Sequence, residues 1–209
     1  MNKILVLQVT GLIILSATLT GMLAATDIYD EVFRKIVDEL CLSCMKVKAS
    51  TQFEWEFDTA NGKPHPSFVI ENLSDGPVIL TYRIDFCPGC DKLEQNVLYA
   101  FLGYEFHKDE VFYEKMDIDG STVTFVHINT YITDDDSELD LSRGIYDVVG
   151  DEGNPMITLI SYNYNQGFVI PTYATVYGLT GDTAEDQKNQ FDNFVQEAIQ
   201  LYNEHVDAY

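Results

Sequence analysis

From Tyr29 to Cys44, apolar residues recur at steps of three and four: Tyr29, Val32, Phe33, Ile36, Val37, Leu40, Cys41 and Cys44. That spacing predicts an amphipathic helix. The period then drops to two, with Phe53, Trp55 and Phe57 alternating with Gln52, Glu54, Glu56 and Asp58, which predicts a half-buried strand over residues 51–59. Asn61-Gly62-Lys63-Pro64 breaks the chain, and Pro66 to Leu73 suits a short helix ended by Ser74-Asp75-Gly76. Val78, Ile79, Leu80, Tyr82 and Ile84 make Pro77 to Phe86 too apolar for a strand with one wet face, so this strand is expected at the centre of a sheet. Between Asp91 and Phe101, Leu93, Val97, Leu98 and Phe101 fall on one side and Lys92, Glu94, Gln95 and Asn96 elsewhere, so a helix follows the strand directly.

Val123 to Ile132 is β-branched and aromatic and reads as another strand. Asp134-Asp135-Asp136-Ser137 can cap a helix whose weak apolar side is Leu139, Leu141, Ile145, Val148 and Val149. Met156 to Ser161 and Phe168 to Tyr177 read as two strands of a hairpin joined through Asn163 to Gly167. Phe191, Phe194, Val195, Ala198, Ile199 and Tyr202 mark a last amphipathic helix. The order of elements is that of a three-layer α/β domain over residues 51–209, with a central mixed sheet flanked by helices. Residues 26–50 form an N-terminal helical extension carrying the first cysteine pair.

Ahead of this lies a charge-free stretch from Ile4 to Ala25, preceded by Lys3. Residues 1–25 read either as a secretory signal peptide, with Ala24-Ala25 at the cleavage site, or as an uncleaved membrane anchor, since about 20 apolar residues span a bilayer. Both readings place the domain outside the cytoplasm, secreted or held at the cell envelope. Charge narrows the partners: 12 basic against 34 acidic side chains give a net charge of −22. Such a surface repels phosphate backbones and anionic lipid heads, which argues against nucleic acid as a partner.

The four cysteines fall in two pairs of equal spacing, Cys41-Leu42-Ser43-Cys44 and Cys87-Pro88-Gly89-Cys90. In an oxidising compartment such pairs are disulfides or redox couples. Cys87 falls where a strand turns into a helix, and unpaired N–H groups with the helix dipole favour its thiolate. Pro88 fits the first helical turn, Gly89 removes bulk beside the sulfur, and Cys90 lies one turn on, within reach to resolve a mixed disulfide. Cys87 is thus the expected nucleophile and Cys90 the resolving thiol, with no bound cofactor and with protein thiols and disulfides as partners. A structural disulfide at the same place is the competing reading.

The apolar strand Val78 to Ile84, the aromatic Phe86, Cys87-Pro88-Gly89-Cys90 opening a helix, and Gly153-Asn154-Pro155-Met156 just before a strand together resemble the thioredoxin family. The likeness runs from about Thr51 to Tyr202, with an extra strand or loop near Phe106 to Asp119. It implies a thioredoxin-like fold and thiol–disulfide exchange. It further implies that Pro155 is a cis-proline beside the active cysteines, where the backbone around Asn154 and Pro155 pairs with an extended substrate. Two departures stand out: the dipeptide is Pro-Gly where thioredoxins usually carry Gly-Pro, and Thr81 occupies the strand position at which many members bury an acid. A proton acceptor for Cys90 is therefore unassigned, with Asp85 a nearby candidate. The redox reading requires residue 87 to lie outside deep apolar packing and close to Pro155.

For Cys41 and Cys44, burial as small hydrophobes or a fixed local disulfide stands beside a second redox couple and a four-thiolate zinc site shared with Cys87 and Cys90. Asp117-Ile118-Asp119-Gly120 and Asp134 to Asp136 lack the distal glutamate of a calcium loop and read as solvated turns. His65, His107, His127 and His205 are scattered, His127 on a strand face without a visible ligand partner. Asn72-Leu73-Ser74 is a glycosylation sequon.

Overall fold

The computed structural model describes residues 53–107, 110–133, 137–150 and 153–206, all within the unit Cys41–Tyr209. The leader, the expected helix over Tyr29 to Cys44 and the first cysteine pair lie outside the described residues. The elements are α1 Ser67–Leu73, β1 Val78–Arg83, α2 Pro88–Leu93, a π turn Glu94–Leu98, α3 Tyr99–Leu102, β2 Phe112–Ile118, β3 Ser121–Asn129, α4 Glu138–Tyr146, β4 Met156–Asn165, β5 Phe168–Tyr177 and α5 Ala184–His205.

The described strands form a five-stranded mixed sheet in the order β2-β3-β1-β4-β5. β1 runs parallel to β3 and antiparallel to β4, while β2 and β5 are antiparallel edge partners. Every residue of β1 is buried, as its unbroken apolar run predicts for the middle strand. Alternation along the strands sorts side chains onto two faces. Val78, Leu80 and Tyr82 of β1 pack with Val69 and Leu73 of α1 and Ile145 and Tyr146 of α4. Ile79 packs on the other face with Leu93, Val97 and Leu98 and with Phe191, Phe194 and Val195 of α5. Thr81 and Arg83 share the parity of Ile79, so they face the helix that begins at the second cysteine pair.

Three expectations are corrected. The strand over residues 51–59 contracts to one bridge, Glu56 with Tyr173, although Phe53, Trp55 and Phe57 keep their half-buried alternation. The next hydrogen-bonded pair would set Asp58 against Pro171, which has no N–H to give, so the ladder stops there. Phe53 packs on α5 instead, stacked on Phe194 with centroids 4.4 Å apart. In α4 the buried residues are Ser142, Arg143, Ile145 and Tyr146, whereas Leu141, Val148 and Val149 are exposed. Ser142 can turn inward because its hydroxyl meets that of Tyr82 at 2.8 Å and donates to the Leu139 carbonyl at 2.6 Å. The hairpin is tighter than expected: β4 runs on to Asn165, and Gln166 (φ 49°) and Gly167 (φ 97°) make a two-residue turn of the left-handed kind. The region Phe106 to Asp119 provides the extra strand, β2, joined to β3 through Asp119 and Gly120 at positive φ.

The last helix follows its pattern to the residue, burying Phe191, Phe194, Val195, Ala198, Ile199 and Tyr202. Its start is fixed by a capping box in which Thr183 and Asp186 satisfy each other's backbone N–H groups. Among the described residues no helix is long and apolar enough to cross a membrane.

Candidate functional site

β1 ends at Arg83, and the chain reverses through Phe86, whose φ of 56° is unusual for an aromatic residue. The reversal leaves Phe86 65% exposed and turns Cys87 inward as the N-cap of α2. Pro88 takes the first helical position, and the Cys90 N–H donates to Cys87 Sγ at 3.2 Å. Cys87 and Cys90 are joined in a disulfide with Cα atoms 5.2 Å apart.

The Asn154–Pro155 peptide is cis and immediately precedes β4, the neighbour of β1. A Cβ added to Gly89 would meet Pro155 Cδ at 3.1 Å and the Asn154 carbonyl oxygen at 3.9 Å. The fold therefore brings Pro88, Gly89, Asn154, Pro155 and the two cysteines to one place, from sequence positions more than sixty residues apart. In the oxidised pair Cys87 is only 1% exposed, as covered as Cys90 at 2%. Cys87 is thus buried, where the redox reading needs it clear of deep apolar packing. Neither cysteine belongs to either apolar cluster, and Pro88, Gly89 and Asp91 beside them are half-exposed.

A second group of polar side chains escapes the sequence pattern. Glu94, expected on the polar side of its helix, is buried. Its carboxylate accepts from Arg83 Nη1 through both oxygens, at 2.6 and 2.7 Å, and Arg83 Nη2 donates to Asp91 Oδ1 at 3.1 Å. His127, the cross-strand partner of Thr81, sits with Nε2 3.1 Å from Glu94 Oε1 and Nδ1 2.7 Å from Thr81 Oγ1. The helix takes a π turn from Glu94 to Leu98, where the widened coil departs from the 3.6-residue phase. The signal for this cluster was Arg83 and His127 themselves, polar residues in apolar strands, which demand buried partners. Thr81, Glu94 and His127 are all buried in this chain of hydrogen bonds.

Other candidates separate from the site. Asp85 accepts from Asn129 Nδ2 at 3.3 Å beyond the strand end. Asn72 is buried and donates to the Phe68 carbonyl while accepting from the Tyr113 hydroxyl. His65 lies 3.0 Å from the Tyr146 hydroxyl, and burial lowers its pKa. Asp117 accepts from the Gly120 N–H, as an ordinary turn residue does. No group of three or more metal-ligating side chains occurs among the described residues. A cleft of about 470 Å³ lined by Ile84, Tyr131, Leu141, Arg143 and Asp147 opens along α4 and includes neither cysteine nor Pro155.

No family model, no curated protein and no solved structure matches this chain.

Proposed function

We propose that this chain is a thioredoxin-like thiol–disulfide oxidoreductase, working outside the cytoplasm on protein cysteines through Cys87 and Cys90 without a bound cofactor. The observation that carries the reading is the contact of the cis Asn154–Pro155 unit with Gly89 inside the Cys-Pro-Gly-Cys turn. It brings two motifs distant in sequence together. Reduced Cys87, at a helix N-terminus, attacks a substrate disulfide; one substrate sulfur leaves as thiolate and a mixed disulfide forms. Cys90 then attacks Cys87 Sγ, closing the disulfide and releasing the substrate as a dithiol. Phe86 is exposed beside the pair, while Asn154 and Pro155 are buried in the oxidised state, so an extended substrate would have to reach their backbone by local opening. The 1–25 segment supplies export or membrane attachment.

The near-complete cover over Cys87 favours a second reading, a non-catalytic thioredoxin-fold module in which Cys87 and Cys90 are a permanent staple. Insulin reduction in the presence of a dithiol reductant separates the two. The redox reading expects turnover by the wild type, loss of it in Cys87→Ser, and an acidic, alkylatable Cys87 after mild reduction. A wild-type rate no faster than Cys87→Ser leaves only the staple.

A further inference from the structure

We propose that the groove along α4 seats the polypeptide on which Cys87 acts, taking an extended segment that carries a carboxylate and, two residues away, an apolar side chain. The assignment rests on the exchange reading above and names its substrate class. Two cavities of about 470 and 370 Å³ adjoin along α4, and both are lined by Lys63 and Leu141. The first reaches Ile84, three residues before Cys87, and is lined also by Thr130, Arg143 and Gly144. The second is walled by Pro64, Pro66, Leu141 and Ile145.

Shape favours an extended chain. Alternate side chains of a strand point the same way, about 7 Å apart, so two of them can enter adjoining cavities while the residue between turns to solvent. α4 is nine residues long, about 13 Å, which is the span of about four extended residues. Gly144 lines the first cavity from mid-helix, where glycine costs about 1 kcal/mol against alanine. Packing does not demand it, since an added Cβ would meet only Asn61 Nδ2, at 3.8 Å. What the glycine preserves is the open space of the cavity.

Charge selects the occupant. The chain carries a net charge of −22, yet two of its 12 basic side chains, Lys63 and Arg143, line the first cavity. The carboxylates along the groove are already engaged by the protein itself. Asp147 accepts from the Tyr177 hydroxyl and from the N–H groups of Val149 and Gly150, Asp140 from the Thr133 hydroxyl at 3.4 Å, and Glu138 from the Ser67 hydroxyl. Lys63 donates to Asn61 Oδ1 only through its backbone N–H, and among the described residues its ammonium has no partner. A carboxylate from the bound segment pairs with that ammonium, and the acidic surface elsewhere steers it there by repulsion. The apolar side chain two residues on enters the second cavity, against the prolines and Leu141. Phe86 follows Ile84 by two residues, and Val148 and Val149 follow Asp147, so exposed apolar side chains flank the end of the groove that adjoins the cysteine turn in sequence.

The test follows the fluorescence anisotropy of a labelled, cysteine-free peptide, with a glutamate two residues from a leucine among serines, on the oxidised wild-type chain. Saturable binding is expected, weaker by about tenfold when lysine replaces the peptide's glutamate. Lys63→Glu should reverse that preference and Leu141→Ser should weaken both peptides. Both side chains are exposed, so circular dichroism should show both variants folded. Excess peptide should slow insulin reduction but not reduction of dithiobis-nitrobenzoate, which is too small to need the groove. The assignment is overturned by no binding, by equal affinity for the two peptides with no response to Lys63→Glu, or by acetylglutamate amide competing as well as the peptide does. Peptide binding as expected without insulin turnover by the wild type overturns the exchange reading alone and leaves the groove as a peptide seat.

Discussion

Gly89 and Pro155 meet so closely that a single added carbon would sit 3.1 Å from the proline ring. Real Cβ contacts are seldom that tight, so the pairing tolerates a glycine at residue 89 and resists anything larger. The sequence offers Gly89 as a permissive residue beside sulfur; the fold makes it the seat of the proline that precedes β4.

Replacing Gly89 by Val tests that contact. The branched side chain must displace Pro155 or the turn, and overpacking of this kind costs about 1–3 kcal/mol. The urea midpoint of the oxidised protein should fall and insulin reduction should slow with it. An unchanged midpoint would mean that the two segments are free to part.

Arg83 and Glu94 make a second test, now of stability. Glu94→Ala leaves a guanidinium that is 2% exposed with Asp91 as its remaining carboxylate, so the loss should approach, without exceeding, the roughly 3–5 kcal/mol of a buried pair broken from one side. Arg83→Met with Glu94→Leu removes both charges and should recover most of the loss, because a well-packed apolar pair is often as stable as the ion pair it replaces. Equal losses in the single and double variants, measured by denaturant titration, would refute a coupled pair.

Alkaline stability should be limited by buried tyrosines. Burial pushes Tyr173 up to about 12, with the charge of Glu56 adding to it, and raises Tyr82, Tyr146 and Tyr177 as well. Between the ordinary tyrosine value near 10 and those raised values the unfolded chain loses protons that the folded chain keeps. The stabilisation is therefore complete below about pH 10 and falls as pH rises toward 12. Absorbance at the tyrosinate band should show these rings ionising together with loss of structure; ionisation in the intact fold would contradict it.

On the acid side His65 acts in the opposite sense. Its pKa is lowered from the ordinary 6.5 by burial, so below that pH the unfolded chain takes up a proton that the folded chain refuses. Stability should fall as pH drops through 6.5 and stop falling, for this group, below the folded value. His65→Gln should flatten that part of the profile, read as the difference from wild type between pH values either side of it. Identical slopes would remove His65 from the account.

Strand β1, helix α5, the cap at Ser137 and the strand-to-helix junction at Cys87 were legible in the sequence because each depends on neighbours within a few residues: period, capping side chains and the placement of proline and glycine. Only the folded chain decided the rest. Pro171 ends the first strand's ladder on one side of its single bridge, and Glu94 turned inward because Arg83 and His127 waited on strands that the sheet sets side by side. Periodicity treats a glutamate as polar wherever it occurs; a charge is buried only when partners from elsewhere offset its lost hydration, and those partners are assigned by topology.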